Sequence, residues 1–238
     1  ENGEFIIAFF SHFIKGLVKK QNPFKTGWQG VKNEYMLLKG LFSGGSQRTK
    51  SRFTRELPQT TAGFWASYFS NLFGFTRKVS SWGGATVSQL EPAFLKGSKA
   101  FTLGSYIMGG SSIEADPDNV IFQHEYGHYL QSQEMGWSYL FKVAIPSLKS
   151  AAGDGMHCFF KTEQDANMRS LIYMSENVEG FYRTKDQLDK DKGWNFLKNP
   201  LDPNSERVRG RYYDVRDASV RSDLIKSLSL TGGLWYIR

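Results

Sequence analysis

The segment "HEYGH", which begins at residue 124, constrains the fold of this chain more than any other feature. Residues four apart are separated by about 400° around an α-helix, so His124 and His128 share one face if the segment is helical. The flanking residues also indicate a helix. Asp116 is a suitable N-cap, and Gly136 is a residue typical of helix C-termini. The segment is therefore predicted to lie on a helix that starts after Asp116 and ends at Gly136.

Two imidazoles on one face present nitrogen donors to a tetrahedral Zn²⁺, which is the chemistry of the pattern H-E-x-x-H. Glu125 lies about 100° from His124 and about 60° from His128 around the helix, so it can reach a water molecule without binding the metal. Gly127 leaves room for another backbone. With 4 His in 238 residues, the pattern arises by chance in roughly three chains per thousand. We predict Zn²⁺ as the cofactor, His124 and His128 as ligands and Glu125 as the catalytic base.

A catalytic zinc site needs a third protein ligand and one open position. Three residues compete for this role. Glu134 has the spacing of one metalloprotease class, but that class needs a glycine where this chain has Gln131, and here the helix continues. Glu163 lies thirty-five residues after His128, at the start of a further polar helix, and we predict it as the third ligand. His157 is the alternative ligand.

Other polar residues near Glu163 can support the site. Asp165 and Asn167 are candidate acceptors for the second N–H of a ligand imidazole. His157, Tyr212 and Tyr213 are candidates for stabilising the oxyanion, and the sequence does not choose among them.

The remaining chain predicts an α+β fold with a helix-rich N-terminal part and a small mixed sheet over the active-site helix. A buried helix is expected over 57–75, and strands are expected at 85–88 and 100–108. Residues 21–55 are rich in Gly, Lys and Ser, which predicts an exposed basic loop. We expect residues 1–55 to form an N-terminal amphipathic helix and this loop, and 56–238 to form the catalytic domain. The alternative is a single domain over 1–238.

The N-terminal segment has apolar residues at helical spacing and cations near its end. Phe5, Phe9, Phe13 and Leu17 form the apolar stripe. Such a stripe can lie on a membrane surface or pack on the protein. We favour packing over membrane association.

Composition limits the function classes. The single cysteine, Cys158, excludes an internal disulfide and a thiolate zinc cage. The formal net charge of +7 is compatible with several anionic partners. The Arg/Asp alternation over 207–223 is typical of a solvated surface, so we expect no nucleic-acid partner. The chain begins at Glu1 without methionine, which we interpret as a piece of a longer protein.

The motif helix resembles that of the zincin metallopeptidases, in particular the gluzincins, whose third ligand is a glutamate on a following helix. Residues from about 53 to 173 also resemble a domain at the C-terminal end of bacterial RHS-repeat and related polymorphic-toxin proteins. The likeness is carried by "LPQTTAGF", "WGGATV", "AFTLGSYIMG", "FQHEYGHYLQSQ", "LFKVAIPSLKSA" and "TEQDAN". It implies a compact zincin-like fold, Glu163 as the acidic ligand and a secreted or delivered bacterial effector.

These observations together predict a zinc-dependent endopeptidase with a protein or peptide substrate. An effector of this kind can also have a cognate immunity protein. One alternative is another zinc hydrolase, such as a peptidoglycan amidase. The other is a non-catalytic interaction module that keeps a metal for stability, in which four protein ligands would close the site.

Overall fold

The computed structural model describes residues 3–95, 99–152, 157–181, 193–195 and 198–201. The chain divides into two compact units, Glu1–Ala115 and Asp116–Arg238. The domain boundary predicted at residue 55 falls within the first unit. In the part of the chain that is described, no helix is both long enough and apolar enough to cross a membrane. The α+β class predicted from the sequence is confirmed.

Four helices open the first unit: α1 (Gly3–Val18), α2 (Pro23–Gly40), α3 (Ser46–Arg52) and α4 (Leu57–Leu72). The helix-rich N-terminal part is therefore confirmed. The helix predicted over 57–75 forms α4, but its predicted burial is wrong for the large apolar residues, because Trp65 and Phe69 are 46 % and 47 % exposed.

The loop predicted over residues 21–55 is wrong, because most of it forms α2 and α3. The side chain of Asn22 caps α2 by accepting a hydrogen bond from the backbone N–H of Lys25. The glycines that indicated a loop instead allow close helix packing. A Cβ at Gly30 would lie 2.6 Å from the carbonyl oxygen of Ala8 in α1. Arg52, predicted to be exposed, is buried and donates to Ser105 Oγ at 2.7 Å.

A mixed four-stranded sheet completes the first unit. Its strands are β1 (Thr76–Trp82), β2 (Ala85–Leu90), β3 (Ala100–Leu103) and β4 (Tyr106–Gly109), in the order β1-β2-β4-β3. The β2–β4 pair is parallel, and the other two pairs are antiparallel. Tyr106 is fully buried in the core and donates from its hydroxyl to the Leu37 carbonyl at 2.8 Å.

The strand predicted over 100–108 is instead a hairpin of β3 and β4. Its two-residue turn, Gly104–Ser105, places Gly104 at a φ of 59°, which glycine adopts without strain. The strand predicted at 85–88 is confirmed within β2. Strand β1 was not predicted, because five of its seven residues are polar or charged and only Thr76 and Val79 are buried.

The second unit contains α5 (Val120–Met135), a π-helical turn (Leu140–Ala144), α6 (Ile145–Ala151), a 3₁₀ turn (His157–Phe159) and α7 (Lys161–Asn177). The predicted end of the motif helix at Gly136 is confirmed. Its predicted N-cap is wrong by three residues. Asn119 caps α5 by accepting from the Phe122 N–H at 3.0 Å, while Asp116 accepts from the Asp118 N–H in the preceding turn.

Candidate metal centre

The site is built where α5 and α7 pack directly against each other. Gly127 of α5 meets the backbone of α7, and a Cβ at this position would lie 2.0 Å from the Ala166 carbonyl oxygen. No side chain larger than hydrogen fits at that distance. The crossing brings the first turn of α7, with Glu163, beside the histidine face of α5. The room that the sequence analysis expected at Gly127 is therefore used by α7.

Three polar groups of these helices converge on one point. Glu163 Oε2 lies 3.0 Å from His124 Nε2 and 3.2 Å from His128 Nε2. One donor atom from each of the three residues lies within 4.8 Å of the other two. Glu163 is completely buried, and His128 is 5 % exposed. This buried group of two imidazoles and one carboxylate could hold a metal ion.

Two carboxamides fix the protons of the two imidazoles. Asn167 donates from Nδ2 to the Pro200 carbonyl at 2.9 Å, so its Oδ1 must be the atom that faces His124 Nδ1 at 2.8 Å. Gln131 donates from Nε2 to the Thr162 carbonyl and to Asp165, so its Oε1 faces His128 Nδ1 at 2.8 Å. An amide oxygen only accepts, and each Nδ1 therefore carries a hydrogen.

This tautomer leaves a lone pair on both Nε2 atoms of the neutral rings, directed at the carboxylate of Glu163. Electron pairs that face each other in a buried space require a proton or a cation between them. Burial by itself lowers the pKa of His124, but its hydrogen bond to Glu163 and the charges of Glu125 and Glu163 raise that pKa to about 9. Burial also raises the pKa of Glu163, and hydrogen bonds from His124 and His128 outweigh it and hold that pKa far below its ordinary value.

The donor types, and the two donor separations that involve Glu163, fit a tetrahedral zinc ion. Bonds of about 2.0–2.2 Å to nitrogen and oxygen in a tetrahedron place neighbouring donors about 3.3 Å apart. The observed separations of 3.0 Å and 3.2 Å between Glu163 Oε2 and the two Nε2 atoms are close to that value. Imidazole and carboxylate are also the donor types of catalytic zinc sites. His124, His128 and Glu163 would hold the ion.

Glu125 is held beside the donors rather than among them. It follows His124 on α5, is 5 % exposed, and its charge contributes to the raised pKa of His124. Its carboxylate is not part of the three-residue donor group. The role of proton acceptor predicted for Glu125 from the sequence stays a prediction.

His157 lies at the edge of the same group, on the 3₁₀ turn just ahead of α7. Its Nε2 is 3.4 Å from Glu163 Oε2, and its side chain is 34 % exposed. It is therefore the most solvent-accessible of the imidazoles around Glu163, and it lies outside the tight group of three donors.

Gln131 and Arg169 are the supporting residues that sequence reasoning missed. Asp165, expected to accept directly from an imidazole, instead accepts from Gln131 Nε2 at 2.8 Å and from Arg169 Nε at 2.6 Å. Arg169 also pairs with Glu134, the ligand candidate set aside from the sequence. Gln131 could have been predicted from its spacing, because residues three apart on a helix, such as His128 and Gln131, are neighbours on its surface.

Tyr212, Tyr213 and the Arg/Asp alternation over 207–223 fall outside the described residues.

Comparison of the chain with protein-family profiles, curated proteins and solved structures gives no match. The resemblance to gluzincins and to polymorphic-toxin domains therefore stays a prediction, and the function has to be argued from the geometry of the site.

Proposed function

We propose that this chain is a zinc-dependent endopeptidase. The observation that carries the proposal is the convergence of His124 Nε2, His128 Nε2 and Glu163 Oε2, with both imidazole tautomers fixed by carboxamides. Three protein donors of this kind leave one of four tetrahedral positions for water or substrate, which is the arrangement of catalytic zinc. Glu125, the adjacent buried carboxylate, supplies the base that peptide hydrolysis requires.

Bound zinc would lower the pKa of water toward about 7 and polarise the scissile carbonyl. The carboxylate of Glu125 accepts the proton of the attacking water and then delivers it to the leaving amine. His124 and His128 keep their Nδ1 protons throughout, since each Nδ1–H donates a hydrogen bond to the amide oxygen of Asn167 or Gln131. In this proposal three residues hold the ion, and Glu125 transfers the proton.

The test is Glu125→Gln, measured for zinc content and for turnover of a peptide mixture on the same preparation. The variant should keep one zinc per chain, because Glu125 is outside the donor group, and lose turnover, because an amide does not accept the proton. Glu179→Gln, at an exposed position, is the matched control and should keep both. Turnover by Glu125→Gln at the wild-type rate contradicts the proposal.

A closed, non-catalytic metal site is the second candidate, and the position of His157 favours it. Its Nε2 is 3.4 Å from Glu163 Oε2, close enough to become a fourth protein ligand after a small movement. The variant His157→Ala distinguishes an open catalytic site from a closed one. In an open site the variant keeps its zinc affinity, whereas in a closed site it loses affinity and the unaltered chain has no peptidase activity.

We further propose that the peptidase acts as a delivered bacterial effector, with the resemblance over residues 53–173 as its support. Expression in a bacterial host should then slow growth, and Glu125→Gln should restore it. Equal toxicity of both chains would contradict this role without bearing on the peptidase itself.

A further inference from the structure

The helices α1 and α2 pack through small residues and direct large apolar residues outward. The buried residues of α1 are Ala8, His12 and Gly16, which lie four apart on one face. On the α2 side, a Cβ at Gly27 would lie within 3.0 Å of the Phe9 ring. Close packing of this kind uses no large aliphatic side chain at the helix contact.

The opposite face of α1 is apolar and exposed to solvent. Six large apolar residues of α1 are each at least 53 % exposed: Ile6, Ile7, Phe10, Ile14, Leu17 and Val18. At 100° per residue they fall within an arc of about 120° that contains no charged residue. A water-soluble helix normally presents its polar face there. We call this surface the α1 face.

The apolar surface continues onto the first two turns of α2. Phe24 is 64 % exposed and packs edge-on against Phe13, with ring centroids 5.2 Å apart. Trp28 is 65 % exposed and packs in the same way against Phe9, at 5.8 Å. Phe and Trp at the margin of an aliphatic face are typical of helices that lie in a bilayer interface.

Basic residues cluster at the same end of the hairpin. Lys19, Lys20 and Lys25 are adjacent in sequence to the exposed Val18 and Phe24. Lys19 is ion-paired with Glu91 at 2.6 Å, whereas Lys20 and Lys25 are exposed. Cations beside an apolar face complement the negative charge of anionic lipid headgroups.

We propose that the α1 face docks on an anionic lipid surface. A helix of sixteen residues is about 24 Å long, shorter than the ~30 Å hydrocarbon core, so α1 lies along the interface. The face is also wider than the two-position seam through which helices of two copies would pair in a coiled coil. The stripe predicted to pack is only partly buried, since Phe5, Phe9 and Phe13 are half-buried and Leu17 is 56 % exposed. The fully buried residues of α1 are Ala8, His12 and Gly16 instead, and membrane docking uses the other side of the helix. This inference does not depend on the metal centre.

The test is sedimentation of the full chain with lipid vesicles. The chain should bind vesicles of phosphatidylserine with phosphatidylcholine, bind phosphatidylcholine alone more weakly, and bind less as salt rises. Ile7→Ser combined with Ile14→Ser should reduce the vesicle affinity at least about tenfold. The control is Phe141→Ser combined with Leu148→Ser, which alters two even more exposed apolar residues of the second unit and should not change binding.

A second variant keeps the proposal testable if the first one fails to fold. Lys20→Glu combined with Lys25→Glu alters only exposed charges and should remove the preference for phosphatidylserine. Wild-type chain that does not bind the anionic vesicles overturns the proposal. A second result also overturns it: the wild-type chain forms a dimer and does not bind vesicles, and the combined Ile7→Ser and Ile14→Ser substitutions dissociate that dimer. The α1 face would then be covered by a second copy of the chain.

Discussion

At the scale of single residues, the candidate centre depends on two amides that are not ligands. Asn167 and Gln131 each accept a hydrogen bond from the Nδ1–H of one histidine, and each is oriented by the acceptors that its own NH₂ group contacts. Without them either imidazole could turn or exchange its proton, and its Nε2 lone pair would no longer be directed at the ion. Affinity for the metal is therefore set partly by residues that never touch it.

Replacing Gln131 with leucine should weaken zinc binding. The substitution removes the acceptor of the His128 Nδ1 proton while keeping the volume, and loss of such a partner raises the zinc Kd about 10–100-fold. A competition titration against a zinc chelator measures this change. Gln133→Leu is the control, because Gln133 donates to the Tyr129 hydroxyl rather than supporting a ligand. An unchanged Kd in Gln131→Leu would show that Gln131 does not position His128.

A separate histidine in the first unit gives a prediction about pH. Burial, with the neighbouring charge of Lys15, lowers the pKa of His12 from 6.5 to about 4. Its Nε2–H donates to the Asn71 carbonyl at 3.0 Å, and Nδ1 has no hydrogen-bond partner within the described residues. The folded ring is therefore neutral below pH 6.5, where the unfolded chain binds a proton.

Stability should fall as the pH drops from about 6.5 to about 4, because only the unfolded state gains that proton; the total is about 3 kcal/mol. Urea unfolding at several pH values measures it. His12→Gln keeps a donor for the Asn71 carbonyl and has no group that titrates in this range. The difference between the two chains isolates His12, and a difference that does not vary between pH 7 and 4 would contradict the argument.

At the scale of secondary-structure elements, the centre exists because α5 and α7 can touch. Both helices are buried on nearly all sides, so neither has the amphipathic pattern of a surface helix. Aromatic contacts between them, such as Tyr126 with Tyr173 at 5.1 Å, hold the pair together below the site. The distance between Glu163 and the histidines is thus set by the helix crossing.

Gly127→Ala tests this crossing. The added methyl group would overlap the Ala166 carbonyl, so α7 must move away and carry Glu163 with it. We expect a loss of about 1–3 kcal/mol in the free energy of unfolding, and weaker zinc binding. Gly3→Ala, which meets nothing within 4 Å, is the control. Zinc affinity equal to that of the unaltered chain would mean that the crossing does not position Glu163.

The sequence predicted those helices and strands whose ends and faces are determined by residues close together in the chain. The spacing of His124 and His128 and the glycine at 136 were sufficient for the motif helix and its end. The same reasoning failed where a glycine allows two helices to pack closely. Gly30 suggested a loop, yet it lies inside α2. A glycine is needed there because the Ala8 carbonyl of α1 approaches too closely for a side chain. Arg52 was predicted to be exposed to solvent. It is buried because Ser105 and the Gly84 carbonyl, far along the chain, accept its hydrogen bonds.

At the scale of the whole molecule, the chain divides into a first unit of helices and a sheet and a second unit whose described elements are all helical. All three proposed ligands lie within the second unit, on α5 and α7. Sequence reasoning could select these candidate ligands, because their residue types limit the choice. It could not find Gln131 or Arg169, because glutamine and arginine are common on helices and their role depends on the approach of α7.

Zinc should therefore stabilise the two units unequally. Binding to the folded state alone contributes about 4 kcal/mol at a free zinc concentration a thousand times the Kd. Amide hydrogen exchange should slow in α5 and α7 when zinc is added and stay unchanged in α2 and β1. His128→Ala, which lacks one ligand, should show no response. Equal exchange with and without zinc in α5 and α7 would contradict this expectation.

The central claim is that His124, His128 and Glu163 hold a zinc ion and leave one position open. A crystal structure of the chain grown with zinc, with anomalous diffraction measured at the zinc edge, tests it most directly. We predict one strong peak about 2.0–2.2 Å from His124 Nε2, His128 Nε2 and a carboxylate oxygen of Glu163, with a non-protein fourth ligand. A peak elsewhere, or His157 bound as the fourth protein ligand, would contradict the account.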